Sequence, residues 1–183
     1  MPDQLPAERY RDYLHLLARM QVAPALVGKI DLSGIVQQTL WEAARGDSTG
    51  KSDAELLPWL RQILANNLRD EFRRWSAMRR DVRREQSLEA ALEQSSAKLA
   101  EWVGSQQSSP SQRAARNEDL TRLAAALATL PEDQRIAVEL HHLQGLSLSQ
   151  VAAQLGRSSE AVASLLYRAL QRLKKHLRSP EEN

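Results

Sequence analysis

Leucines, isoleucines and aromatic residues recur three and four positions apart along most of the chain, and no segment alternates with the period of two that a half-buried strand requires. The pattern predicts an all-α protein. A first helix over Ala7 to Met20 places Tyr10, Tyr13, Leu14, Leu17 and Met20 on one stripe, with a break at Pro24. Asp31 or Ser33 caps a second helix whose Ile35, Val36, Thr39, Leu40 and Ala43 share a side before Gly46 ends it and opens a polar loop to Ser52. Pro58 suits the first turn of a long third helix, in which Leu60, Ile63, Leu64, Leu68, Phe72 and Trp75 keep the same spacing. Composition then shifts to Ser, Gln and Ala over residues 93–117, centred on Ser105 to Ser111, which reads as a flexible linker. Just before it, Leu88 to Leu92 forms a short helix-like patch able to pack on the first half.

Past the linker, Leu120 to Leu130 lead to Pro131, which opens a helix carrying Ile136, Ala137, Leu140 and Leu143 and closed by Gly145. Ser147 caps the next helix, Gln150 completes a capping box, and Leu146 and Val151 make a hydrophobic staple. Gly156 supplies the left-handed residue of a sharp turn, and Ser158 or Ser159 caps a last helix with Val162, Leu165, Leu166, Ala169, Leu170, Leu173 and Leu177 as its buried stripe. A helix, a glycine turn and a second helix running into a basic tail is the layout of a helix-turn-helix DNA reader. The expected organisation is therefore two small helical domains, residues 1–92 and 118–183, joined by the linker 93–117.

Size and charge refine this picture. At 183 residues the chain is long enough for two compact units, and the absence of cysteine excludes disulfides and thiolate zinc sites. No apolar stretch is long enough to cross a bilayer, and the first residues lack the charged-then-apolar layout of a secretion signal, so a cytoplasmic protein without membrane insertion is expected. Net charge is only +2, so a case for nucleic acid rests on where the charges lie. They cluster: Arg69, Arg73, Arg74, Arg79, Arg80, Arg83 and Arg84 in one run, and Arg168, Arg172, Lys174, Lys175 and Arg178 on the last helix. Such runs are often solvated helix faces, but two of them, one following a helix-turn-helix, favour contact with phosphates. Enzyme readings are weak. The four histidines are scattered, and His141 and His142 point about a hundred degrees apart on a helix, poor geometry for a shared metal. With no glycine-rich phosphate cradle and no nucleophile elbow either, neither a catalytic residue nor a metal nor a cofactor is expected.

Taken together, these stretches resemble the small two-domain bacterial RNA polymerase sigma factors of the sigma-70 family, in the extracytoplasmic-function (ECF) branch. The C-terminal part is similar to sigma region four in Leu127-Ala128-Thr129-Leu130-Pro131-Glu132-Asp133-Gln134-Arg135 and in Leu143-Gln144-Gly145-Leu146-Ser147. The N-terminal part is similar to sigma region two: Asp31 to Ala43 resembles the family's polymerase-binding helix, and Trp59-Leu60-Arg61 with Ile63, Asn66, Leu68, Asp70, Phe72, Arg73 and Arg74 resembles the helix that melts and reads the minus-ten element. The resemblance implies core RNA polymerase (through the clamp helices of its largest subunit) and promoter DNA as partners, and an anti-sigma factor of the kind that commonly controls relatives. It also implies a non-enzymatic role.

Residue by residue, polymerase binding falls on Asp31, Ile35, Val36, Gln37, Gln38, Leu40 and Trp41, and minus-ten melting on Asn66, Asn67, Arg69, Asp70, Arg73, Arg74 and Trp75. Asparagines suit base edges, arginines suit phosphates, and an aromatic ring suits an unstacked base. Trp59 and Phe72 are expected in the core, while Trp75 stays open between core and base platform. Minus-thirty-five reading falls on Arg157, Ser159, Glu160, Ala163, Ser164, Tyr167, Arg168 and Arg172. The chain departs from the family in two places. Ala163 and Leu165 stand where relatives often carry basic residues, which shifts upstream binding toward Arg157, Arg168 and Arg172. Gly34 and Gln38 replace acidic residues common in the polymerase-binding helix, so contact there depends less on charge and more on Ile35, Gln37, Leu40 and Trp41. The alternatives are a helix-turn-helix regulator that is not a polymerase subunit, and an interaction protein whose amphipathic helices bind another protein.

Overall fold

A computed structural model of the chain describes residues 7–22, 28–46, 51–79, 88–102, 104 and 110–178. These residues are helical apart from short connections, with no β-strand among them. They divide into two compact units, Met1–Thr121 and Arg122–Asn183.

In the first unit a short 3-10 turn, Glu8–Tyr10, leads into α1 (Arg11–Gln21), followed by α2 (Leu32–Arg45), α3 (Asp53–Arg79) and α4 (Leu88–Trp102). Asp31 is the cap of α2, accepting a hydrogen bond from the Gly34 N–H at 2.9 Å. The start of α3 differs from the sequence expectation. Its N-terminal turn is made by Ser52, whose N–H and hydroxyl both donate to the Glu55 carboxylate at 3.0 and 2.8 Å, so Pro58 falls inside the helix. Those two donors also hold the Glu55 carboxyl below its ordinary range, the hydroxyl contributing most. Leu14, Leu17, Val36, Leu57, Leu60, Leu64 and Leu68 are fully buried where α1, α2 and α3 meet, and each such side chain contributes roughly 1.5–3 kcal/mol by leaving water.

Residues 93–102, expected as linker, instead continue α4. The serine-rich composition hides a helical stripe in which Leu92, Ser95, Ser96, Leu99 and Ala100 are buried against α1 and α3. The two serines are tied: the Tyr13 hydroxyl donates to Ser96 Oγ at 2.9 Å, and the Gln21 amide donates to Ser95 Oγ at 2.9 Å. The other end of the expected linker is helical as well, because α5 spans Pro110–Ala128 and the boundary between the units falls within it. The centre of the serine-glutamine stretch, the break at Pro24 and the arginines from Arg80 to Arg84 lie outside the described residues.

In the second unit the end of α5 buries Leu123, Ala124 and Leu127 and is followed by α6 (Glu132–Val138), a π-helical turn at Glu139–Leu143, α7 (Leu148–Leu155) and α8 (Ser159–Arg178). The π turn ends where the Gln144 N–H reaches the Glu139 carbonyl and the Leu146 N–H reaches the Leu140 carbonyl. His141 Nδ1 lies 2.7 Å from the Leu146 carbonyl and closes the same turn, so that imidazole has a structural task. The expected capping box is present, with the Gln150 N–H donating to Ser147 Oγ and the Ser147 N–H donating to the Gln150 side chain. Gly156 adopts the left-handed conformation with φ 62°, and the Ala161 N–H donates to Ser158 Oγ to cap α8. Val151 and Ala152 of α7 and Val162, Leu165, Leu166, Ala169 and Leu173 of α8 are buried within this unit, whereas Leu170, expected in the same stripe, is exposed.

Candidate nucleic-acid interface

On α8 the buried stripe turns one side of the helix inward and leaves the other bare. Arg157, Glu160, Ala163, Ser164, Tyr167, Arg168 and Arg172 are exposed and Ser159 is half-buried, so every candidate named from the sequence is at the surface. Tyr167 is 66% exposed, an unusual position for an aromatic residue unless something else covers it. Arg157 pairs with Asp133 of α6, and Arg168 Nε donates back to the Ser164 carbonyl at 3.2 Å. The Glu160 carboxyl is held below its ordinary range by its own backbone N–H first and then by the Ser158 hydroxyl, so the first turn of α8 carries a fixed negative charge.

The C-terminal half of α3 divides its candidates. Asn66, Asp70, Arg73 and Arg74 are exposed and Trp75 is half-buried, with Arg74 paired to Glu71 at 3.2 Å and Arg73 4.0 Å from Asp70. Asn67 and Arg69 depart from the expectation. The Asn67 amide donates to Thr39 Oγ1 at 3.1 Å, and Thr39, fully buried, donates in turn to the Ile35 carbonyl at 2.9 Å, so Asn67 fastens α3 to α2. Arg69 is drawn sideways into an ion pair with Glu89 of α4 while its Nη1 donates to Asn66 Oδ1 at 2.9 Å. Trp59 and Phe72, expected in the core, are each half-buried. Trp59 lies under Gly46, where an added Cβ would come within 2.9 Å of its ring, and Lys51 covers the ring at 5.2 Å.

Helix α2 also splits its candidates. Ile35, Val36 and Leu40 are buried in the core and Asp31 is the cap, which leaves Gly34, Gln37, Gln38 and Trp41 lining an open groove on the outer face. Helical geometry explains the division, because positions 35, 36, 39, 40 and 43 form the inward stripe and positions 34, 37, 38, 41 and 45 the outward one. Trp41 is 51% exposed, with the Arg45 guanidinium 4.5 Å above its ring. Gly34 and Arg45 were not among the candidates; their place on the outward stripe is the signal that identifies them.

Among the described residues there is no group of three or more His, Asp or Glu side chains able to hold a metal ion. His142 is kept below its ordinary pKa by burial first and by the neighbouring His141 ring second, the two rings packing edge to face at 4.8 Å.

Residues 120–173, which include α7, the glycine turn and α8 as far as Leu173, match the family model described as Sigma-70, region 4. Over 176 residues the chain is 30% identical to the RNA polymerase sigma factor CnrH of Cupriavidus metallidurans, covering 93% of this chain and 88% of that protein. The chain belongs to the sigma-70 family of RNA polymerase sigma factors. Its branch is the ECF one, as in the ECF RNA polymerase sigma factor SigF of Caulobacter vibrioides, 30% identical over 90% of this sigma factor and 78% of that protein. It is also similar to the sigma factor RpoE of Bartonella quintana in its co-crystal structure with the anti-sigma factor NepR, at 22% identity over 96% of each chain with a TM-score of 0.36. As a sigma factor the chain is a non-enzymatic subunit. No helix among its described residues is long and apolar enough to cross a membrane.

Proposed function

We propose that this sigma factor divides promoter recognition between its two units, residue by residue as follows. The outward stripe of α2, with Gly34, Gln37, Gln38 and Trp41, docks on the clamp helices of core RNA polymerase. The neighbouring end of α3 then holds the opened minus-ten strand: Asn66 meets a base edge, Arg73 and Arg74 hold phosphates, and Trp75 offers a ring face. Opening a duplex costs a few kcal/mol for each base extruded, and a protein that hydrolyses nothing must offset that cost by binding what it exposes. In the second unit α8 enters the major groove of the minus-thirty-five element, with Ala163, Ser164 and Tyr167 toward the bases and Arg168 and Arg172 toward the backbone. An anti-sigma factor that covers either surface would withhold the protein from polymerase.

The observation that supports this reading most is the exposure of Trp41 and Tyr167, large rings at the surface of two helices whose opposite sides are tightly packed. Run-off transcription with purified core polymerase tests it. Core plus this chain should start RNA at a defined position, and replacing Trp41 by alanine should abolish that start while the chain still folds. Specific DNA binding with no core-dependent start would favour a conventional regulator instead.

A further inference from the structure

Helix α4 reaches the candidate minus-ten surface through a chain of contacts. Glu89 pairs with Arg69 through Nη2 and also accepts from the Gln62 amide at 3.2 Å, and Arg69 Nη1 donates to Asn66 Oδ1 at 2.9 Å. Each link constrains the next. A surface asparagine has a broad, nearly two-fold preference at its terminal torsion and can present either its oxygen or its amide outward. With Oδ1 facing Arg69, the Asn66 amide nitrogen is the atom turned away from the relay, and it carries two donors. An arginine on one helix would not by itself hold that choice, because its side chain has several rotatable bonds. Here its far end is fixed from another helix, at a place where Arg69 and Glu89 are each about one third exposed, 32% and 33%.

We propose that Glu89 is a positioning residue for base selection: through Arg69 it holds Asn66 with its oxygen engaged and its amide nitrogen outward, which favours a base edge made of acceptors and disfavours adenine. A freely turning asparagine pairs with adenine in two hydrogen bonds, one donated and one accepted. Committing the oxygen to Arg69 weakens the accepted bond, whereas an edge such as guanine N7 and O6 asks only for donors. Arg69, expected from the sequence to hold a phosphate, acts instead by orienting its neighbour, its charge already balanced by Glu89. The proposal rests on the reading of Asn66 as a base contact.

The test uses holoenzyme reconstituted from core polymerase and the full chain, on a promoter located by transcription-start mapping and carried through all four bases at each minus-ten position. The Asn66→Ala variant should erase base preference at one position. Glu89→Ala should reduce the discrimination against adenine there by about fivefold or more, the low end of what a good base-edge pair is worth. It should add nothing in the Asn66→Ala background. Glu93→Ala is the matched control: it removes the other α4–α3 ion pair, to Arg61 at 2.5 Å, without touching Arg69, and should leave base preference unchanged. If Asn66→Ala erases the preference and Glu89→Ala keeps it, or if Glu93→Ala lowers it equally, the relay is overturned although Asn66 reads a base. If Asn66→Ala changes preference nowhere, the base contact itself is wrong and the relay falls with it.

Discussion

Leu40 and Trp41 are neighbours in sequence, yet one is buried at 3% exposure and the other stands half in solvent at 51%. Their substitutions should therefore separate two properties. Leu40→Ala opens a cavity in the core and should cost about 2–5 kcal/mol of stability, whereas Trp41→Ala should leave the denaturation midpoint nearly unchanged and weaken co-purification with core polymerase. Chemical denaturation beside a polymerase pull-down checks both. Asn67→Ala should lose about 1 kcal/mol, the worth of its bond to Thr39, with no change in promoter preference. The apolar spacing of α2 already set Ile35, Val36 and Leu40 on one side, but not which side meets polymerase. Ile35, Val36 and Leu40 matched the family's polymerase-binding helix by position, and only their inward stripe shows them to be core. Asn66 and Asn67 are likewise identical in type, and one step of helical rotation sends one to solvent and the other to Thr39.

Among the elements, the helix-turn-helix was the easiest to foresee because its signals are local. A capping box, a left-handed glycine and a leucine stripe are fixed by residues within a few positions of one another. Gly156→Ala should destabilise the second unit by about 1 kcal/mol or more, as measured by thermal melting: an added Cβ meets nothing within 4 Å, so the cost comes from the backbone, at φ 62°. Helix α4 was the hardest to foresee. Ser95 and Ser96 look like linker in composition, and what makes them interior residues is a hydroxyl and an amide contributed from α1, more than seventy positions away in sequence. The start of α3 departs from the sequence expectation for a local reason instead: Pro58 carries a strong helix-start signal, but Ser52 and Glu55, three residues apart, form a cap before it.

At the scale of the whole molecule, a net charge of +2 conceals two arginine-rich runs of sequence, one in each unit. A cation that neutralises a DNA phosphate releases counterions, so the salt dependence of promoter affinity reports how many phosphates the protein holds. Replacing Arg73 and Arg74 by alanine should lower the log-log salt slope of holoenzyme binding by about one for each phosphate no longer neutralised. An unchanged slope would remove both from the DNA surface. Permanganate footprinting of the holoenzyme on a mapped promoter bears most directly on the division of labour between the units. Thymines around the minus-ten element should become reactive only when core polymerase and this chain are both present. The Arg73→Ala, Arg74→Ala double variant should lose that reactivity while upstream protection from nuclease persists. Reactive thymines without core polymerase, or none with it while the upstream element stays protected, would contradict the account.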